Sequence, residues 1–578
     1  MTKIKRSEVK KISDTNNKKT VTLDSFQGID TRSDHKNSKG CGELVNFRIR
    51  HDGSLEKREG YRHLAELGGN IRAVWMGKIN GESCCYALAD SAVLRLNEDG
   101  SFTQAATTET SEGDADFFFY RNRLYLADGN KLLYLTNEGL AAPVGYVPLV
   151  AKNWSGGEIG QVNEPRNLLC DRARFHYIMG EDVTPILYVN EALASVDAIL
   201  VNGVQISEDR YKLLSSKMVI TVTGLASYDS VVLYVTYADA DVRLPELLAN
   251  TRASVFGGAN NSRPFLWGNP DRPNVIYGAG YVSENELIEA QRVYADSDEL
   301  YFPAGCEFSV GDGQYTVRAV SRHYDRMLIF TEGGTWMAND PDCGTAEFPV
   351  ININSSVGVL SYGAAAEMEN QPCTVGERGI YRWNSDTDEL NDCNAYSISL
   401  PIDSRLSRDF FESASVFANT AKRELMFTYP NDTGAVWVYS ASSQAWSRFE
   451  GVFADKIFDF YGHTAFIRGG NVYLFDENAG DDCGAEIKAY FESNLLDFDT
   501  DRKKQLMGIE LSYEGGEITA EVFSDGGTTP SVSAAFGGGR HQRVFRRLSA
   551  GRFGDIRVRL TAGGADRQVV HSLSIKTR

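Results

Sequence analysis

A short strand with an aromatic or aliphatic residue at its centre recurs along this chain. The copies are Ala92-Val93-Leu94-Arg95-Leu96, Leu132-Leu133-Tyr134-Leu135, Val275-Ile276-Tyr277, Gly334-Thr335-Trp336-Met337, Gly379-Ile380-Tyr381-Arg382-Trp383, Ala435-Val436-Trp437-Val438-Tyr439 and Asn471-Val472-Tyr473-Leu474-Phe475. Their centres fall at residues 94, 134, 277, 336, 381, 437 and 473. With the gap from 134 to 277 set aside, successive copies lie 40, 59, 45, 56 and 36 residues apart. A loose period of this size, built from strands, marks stacked units that bury their faces only against one another. Each copy follows another strand and a tight turn. In 117–134, three strands are separated by Arg121-Asn122 and Asp128-Gly129-Asn130, residues that tolerate positive φ and close hairpins. The same order runs from Glu424 to Tyr429, through Pro430 to Gly434, into Ala435 to Tyr439, with Trp446 where an outer strand would pack. Radially stacked antiparallel sheets are buried on both faces, which blurs strict alternation. The expected fold is all-β: a β-propeller of about seven blades, with roughly six to eight allowed by the spacing.

The 143-residue gap between the second and third copies is too long for one blade. Residues 150–245 are therefore expected to be an inserted small β-sandwich. Ala198-Ile199-Leu200-Val201, Asn202-Gly203 and Val204-Gln205-Ile206 form a strong hairpin signal, and Met218 to Val222 and Val231 to Tyr237 add two strands. The propeller then comprises 20–149 and 246–478. An acidic hinge, Asp476 to Asp482, leads to a C-terminal β-sandwich at 485–578. There Ile509 to Tyr513, Ile518 to Phe523 and Ile556 to Leu560 alternate cleanly, so one face is buried and the other wet. Residues 1–19 hold seven Lys/Arg against Glu8 and Asp14 and read as a flexible basic arm.

Charge narrows the function classes. The chain carries a net −19, a poor match to a protein that wraps nucleic acid, because phosphate binding needs a cationic surface. Residues 538–578 run against this balance, with ten Lys/Arg and only Asp555 and Asp566. Nine scattered cysteines, none in a C-x-x-C pair, and an N-terminus without an apolar core point to synthesis in a reducing cytoplasm. There is no P-loop, G-x-S-x-G, H-E-x-x-H or dinucleotide fingerprint, and the eight histidines show no metal-ligand spacing. Asp497-Phe498-Asp499-Thr500-Asp501 opens like a calcium loop, but Arg502 and Gly508 stand where Gly and Glu are needed. No catalytic residue, cofactor or metal is expected, and the chain is read as no enzyme.

Three segments carry a resemblance. They are Phe26-Gln27-Gly28-Ile29-Asp30 with Gly42-Glu43-Leu44-Val45-Asn46-Phe47 and Gly53-Ser54-Leu55-Glu56-Lys57-Arg58-Glu59-Gly60-Tyr61, then Pro270 to Tyr277, then Leu300 to Pro303 with Leu328 to Trp336. Together they resemble the packaged-DNA stabilisation, or tail nozzle, proteins of short-tailed bacteriophages, over residues 21–65 and 250–475. The resemblance implies a structural virion protein of the phage tail, made in the bacterial host cytoplasm. Such proteins form a homo-oligomeric ring, sixfold by family expectation, below the portal and adaptor. The ring continues and closes the channel until DNA ejection and carries tail fibres or spikes. Phage DNA passes through the lumen without sequence-specific binding. Two rival classes are a propeller enzyme acting on host surface glycans and a receptor-binding tail fibre or adhesin. A carboxylate and arginine pocket in the propeller mouth would favour the first, and a trimeric β-helical shaft the second.

The basic C-terminal end supplies the candidate subunit or partner interface: Arg540, Arg543, Arg546, Arg547, Arg557, Arg559 and Arg567. Arg552 lies among them. Arg557 and Arg559 are two apart on one strand and share a face, while Ile556, Val558 and Leu560 take the core side. Arg forms planar, bidentate contacts with carboxylates, and the rest of the chain is acidic, so a neighbouring subunit offers complementary groups.

Overall fold

A computed structural model describes residues 18–32, 36–155, 160–258, 262–324, 326–339, 349–384 and 394–578. The fold is all-β, 52% strand and 5% helix. No helix among the described residues is long and apolar enough to cross a membrane.

Four-stranded antiparallel sheets follow one another at 71–107, 116–141, 252–309, 317–354 and 365–397, and four more antiparallel strands at 415–449 begin a nine-stranded sheet that continues into the C-terminal unit where Val45 pairs with Arg448. A further sheet spans 456–476 and takes Gly60–Glu66, from the other end of the chain, as its fourth strand, with Asp481–Asp482 and Ala485–Glu486 beyond it. The first strands of these sheets pack on one another in sequence order: Ile71–Ile79, Asp116–Tyr120, Arg252–Phe256, Val317–His323, Ala365–Met368, Ser415–Asn419 and Lys456–Phe460, which returns to Ile71–Ile79. The sheets thus close into a propeller-like ring. Local chemistry shapes each one. Arg121 and Asn122 (φ 45° and 61°), Asn80 and Gly81 (53° and 82°) and Tyr461 and Gly462 (51° and 84°) hold paired left-handed conformations, the requirement of two-residue hairpins. The gaps between sheets are packed. Leu88, Val93, Phe117, Leu124 and Leu126 fill the first gap, and Phe265, Ile276, Met327 and Ile329 fill the third. The strand Gly60–Glu66 closes the ring through hydrogen bonds, and Tyr61 packs edge-on against Phe466 at 4.9 Å.

Between the second and third ring sheets the chain builds two sheets of its own. One pairs Leu149–Ser155, Arg172–Ile178, Ser230–Tyr237, Leu193–Val201 and Val204–Gln205. The other pairs Ile186–Tyr188, Val219–Val222 and Tyr211–Leu213. Asn202 and Gly203 (φ 49° and 80°) close the hairpin at its tip. Phe175, Tyr177, Leu187, Ile199, Ile220, Leu233 and Val235 form a private core. A second apolar contact joins this unit to the ring. Ala198, Leu200 and Tyr234 pack against Val282, Ala290 and Tyr294, around the helix Glu284–Gln291.

The C-terminal unit also has two sheets, and here the chain departs from expectation. One, Cys41–Val45, Ala489–Ser493, Ile556–Ala562, Ile518–Ser524 and Val532–Phe536, is the far part of the nine-stranded sheet that begins at 415–449. The other holds Lys19–Leu23, Phe47–Ile49, Leu55–Lys57, Gln568–Thr577, Lys504–Gly515 and Gly539–Arg547. Residues 20–57, expected at the start of the propeller, therefore belong with 489–577; Cys41–Val45 also pairs with Ala445–Phe449 of the ring, and 60–66 enters the last ring sheet. The reason is apolar burial. Leu23, Phe26, Leu44, Phe47 and Leu55 face the same core as Phe491, Leu511, Ile518, Val558 and Leu573. Closing so long a loop adds little entropy cost, because that cost rises only logarithmically with length. The expected basic arm lies, up to residue 17, outside the described residues. Its last residue, Lys19, pairs with Thr577 in a strand. The acidic hinge is a joint instead of a solvated linker: Asp481–Asp482 pairs beside Tyr61, and Asp482 is buried.

Candidate functional site

The expected interface arginines fall into three places. Arg540, Arg543, Arg546 and Arg547 share the strand Gly539–Arg547, which ends its sheet. Register with Lys504–Gly515 sets Ser512 opposite Arg543, Glu510 opposite Phe545 and Gly508 opposite Arg547. Ile509, Leu511 and Tyr513 are buried, so Arg543, Phe545 and Arg547 stand on the outer face. Glu510 accepts from Lys576 (2.7 Å) and Arg543 (2.5 Å), and these bonds lower its pKa.

Arg557 and Arg559 do share an outer face, with Ile556, Val558 and Leu560 fully buried behind them. Their charge is engaged inside the chain. Arg557 Nη1 donates to Glu492 Oε1 at 2.7 Å, and Arg559 donates from Nη2 and Nε to Glu492 Oε2 at 2.7 and 2.9 Å. The Arg559 guanidinium also lies 5.2 Å from the Phe523 ring. Both line a cleft of about 420 Å³ with Glu43, Arg405 and Tyr490. Arg405 reaches Glu43 at 2.8 Å. Two cations on one carboxylate leave a surplus of one. Arg567 lies elsewhere, ion-paired to Glu56 in a cleft of about 820 Å³ between the ring and the C-terminal unit. Arg552 is exposed, opposite Gln505.

Charged groups not singled out as site residues lock this junction, among them Arg58 and Glu59 of the resembling segment. Arg58 clasps Asp482 with both Nη atoms (2.9 and 2.5 Å), while its Nε donates to Asn46 Oδ1 at 2.8 Å. Arg48 bridges Glu59, at 2.9 Å, and Glu424 of the ring. Lys422, also of the ring, donates to Glu59 at 2.6 Å. Burial pushes the Glu59 pKa up, but Arg48 and Lys422 outweigh it and bring it down to about 2. Backbone fit is equally tight. A Cβ on Gly60 would sit 1.9 Å from the Asp481 carbonyl oxygen, and one on Gly28 (φ 76°) 2.5 Å from that of Trp446. Buried charges in such pairs cannot lose a partner cheaply; removal of one costs about 3–5 kcal/mol.

The ring's first strands differ from the chain average. The ring's first strands carry Arg72, Lys78, Arg252, Arg318, Arg322 and Lys456 against Asp116, Glu367 and Asp459. The acidic surplus therefore resides outside these inner strands. Partial desolvation by the neighbouring strands lowers the Lys456 pKa and raises that of Asp116, although solvent still reaches both side chains. The calcium-like loop is tied internally: Asn37 Nδ2 reaches Asp497 and Asp499 (2.6 and 2.8 Å), and the Lys504 ammonium takes the Asp497 and Thr500 carbonyls at 2.7 Å. Among the described residues, no three His, Cys, Asp or Glu side chains gather as a metal would require.

No protein-family model and no curated protein matches the chain. Solved structures show distant likeness. PorZ, a surface component of the type IX secretion system of Porphyromonas gingivalis, is 10% identical with a TM-score of 0.32 over 75% of this chain, which spans 42% of the PorZ chain. YCF48, solved with a D1 peptide, is 9% identical with a TM-score of 0.33 over 72% of this chain and 95% of its own. Virginiamycin B lyase of Staphylococcus aureus is 9% identical with a TM-score of 0.26 over 64% and 94%. At these scores the likenesses carry no functional argument, and the ring rests on its own strand contacts.

Proposed function

We propose that this chain is a structural subunit of a short-tailed phage tail nozzle. In this reading the closed ring is a seven-bladed propeller, and the inserted and C-terminal units are sandwiches offering side surfaces to neighbours. Copies assemble as a ring that continues and closes the DNA channel below portal and adaptor, carries fibres or spikes, and catalyses nothing. A ring needs two different patches on each subunit, and the acidic body and the arginine-rich end are such a pair. One observation supports the reading most. The first of the resembling segments, 26–61, lies at one joint, where Gly28 abuts Trp446, Asn46 holds Arg58, Arg58 holds Asp482, and Gly60 abuts Asp481. That segment is thus the lock between ring and C-terminal unit, a mechanical element.

Electron microscopy of the protein mixed with portal and adaptor tests this. The expected image is a ring capping the portal. A free monomer that degrades a host polysaccharide, losing that turnover on a single substitution, would overturn it.

A further inference from the structure

We propose that the free edge of the strand Gly539–Arg547 takes up an extended, acid-bearing peptide segment as an added β-strand. The inference rests on reading this arginine-rich surface as an interface, and goes further by naming the chemistry of its occupant.

The strand ends its sheet. One edge pairs with Lys504–Gly515, and the other has no partner strand among the described residues. Nine residues at about 3.3 Å each present a ladder of roughly 30 Å. Unpaired edges of this length attract strands unless something deters them, and like charge is the usual deterrent. Here that charge selects. Two copies of this edge repel each other through their arginines, which removes a symmetric dimer through it. An acidic strand is attracted.

The outer face specifies the pattern further. Arg543, Phe545 and Arg547 are exposed and spaced i, i+2, i+4, so they form one row. Arg543 shares Glu510 with Lys576. Arg540, Arg546 and Arg547 have no ion-pair partner among the described residues. Phe545 is 44% exposed and lies over Gly508, where a Cβ would come within 2.5 Å of its ring. The glycine therefore lets the ring lie across the neighbouring strand, leaving an apolar step between two guanidinium groups. Cross-strand neighbours stand about 5 Å apart, so the matching strand carries acid, apolar and acid residues at alternate positions. Each carboxylate then meets a planar guanidinium fork while the backbone completes the ladder.

A fluorescein-labelled peptide, Ser-Glu-Thr-Val-Thr-Glu-Ser, is titrated with the full chain and followed by anisotropy. Saturable binding is expected, weakened at least tenfold when Pro replaces both Thr, when Lys replaces both Glu, or in the R543E/R547E double variant. The variant should instead favour the Lys peptide. Its thermal midpoint, compared with the parent, shows that it is folded, and an R543K/R547K variant should keep part of the affinity. Equal binding of the Pro peptide, or an unaffected folded double variant, refutes strand addition. So does tighter, equally arginine-dependent binding of a DNA oligonucleotide. Sedimentation separates the two readings: rings without peptide binding sink this inference alone, whereas a monomer that binds the peptide sinks the ring reading and leaves this one standing.

Discussion

The two appended units attach to the ring in different ways, one keeping a private core and the other sharing the ring's. The inserted unit, 149–237, takes all its strands from one continuous segment and closes its core with those residues. The C-terminal unit draws strands from 19–57 and from 489–577, and buries them around one core. Where they meet the ring, the insertion uses mainly an apolar and aromatic contact at Val282, Ala290 and Tyr294, helped by the partly buried pair Arg174–Glu286 at 2.9 Å. The C-terminal unit shares one continuous apolar core with the ring, in which Leu44 and Phe491 join Phe427 and Trp446, pairs Val45 with Arg448 in a common sheet, and adds a buried ionic joint, Arg48–Glu59–Lys422 and Arg58–Asp482. A module built from one segment can fold before the rest of the chain exists. One built from both chain ends forms only after the ring has brought them together, because contacts distant in sequence close large loops first.

The sharpest way to break this contrast is Arg58→Leu. Asp482 is left buried and unpaired, and the expected loss is about 3–5 kcal/mol. Denaturant unfolding should show an early transition for the C-terminal unit and unchanged behaviour in the insertion. A single transition at the parent midpoint would mean the joint is not what holds the unit.

Replacing 150–245 with a short Gly/Ser linker comes next. The ring should stay folded but melt lower, since Val282, Ala290, Tyr294 and Tyr301 lose their cover. The excised segment should unfold cooperatively by itself. Failure of that segment to show a cooperative transition would erase the difference between the two units.

Acid should separate them further. The folded pKa of Glu59 is depressed to about 2 from an ordinary 4.5. Its stabilisation is therefore present above about pH 4.5 and lost as pH falls toward 2, which loosens the C-terminal joint. Glu164, between the insertion and the ring, is raised by burial despite bonds from the Leu149 N–H (2.6 Å) and the Tyr146 hydroxyl (3.1 Å). A raised carboxyl has the opposite sign: its contribution is fullest below the unfolded pKa and falls as pH rises through the folded value. Glu59→Gln should flatten the acid limb of a stability profile and Glu164→Gln should not. Identical profiles for both would refute the assignment.

The smallest effect on assembly is expected from R557E/R559E. The arginines are partly exposed but Glu492 behind them is buried and would lose both partners, so the subunit should also lose about 3 kcal/mol, read separately as a thermal midpoint. Ring assembly should weaken, and also weaken with salt as the screening length falls to about 3 Å at 1 M. Since Glu492 already engages both, R543E/R547E should harm assembly more. Rings that ignore both double variants and all salt concentrations would remove the arginine-rich end from any interface.

Much of this was legible from neighbouring residues. Asn202-Gly203 and Arg121-Asn122 announce their hairpins because positive φ is a property of a residue and its neighbour. Alternation in Ile556 to Leu560 announces a buried and a wet face because side chains on a strand point in opposite directions. The sequence by itself thus determined an all-β chain of short repeated hairpins, with an insertion and a charged C-terminal end. Tertiary structure alone decided the partners. Leu23 and Phe47 read as propeller strands until the C-terminal core takes them, Arg58 and Asp482 are 424 positions apart, and Arg557 and Arg559 look free until Glu492 arrives from another strand. Turn chemistry and periodicity act over two to four residues. Burial and charge pairing act across whatever the fold brings within a few ångströms, and that distance is not written in any local stretch of chain.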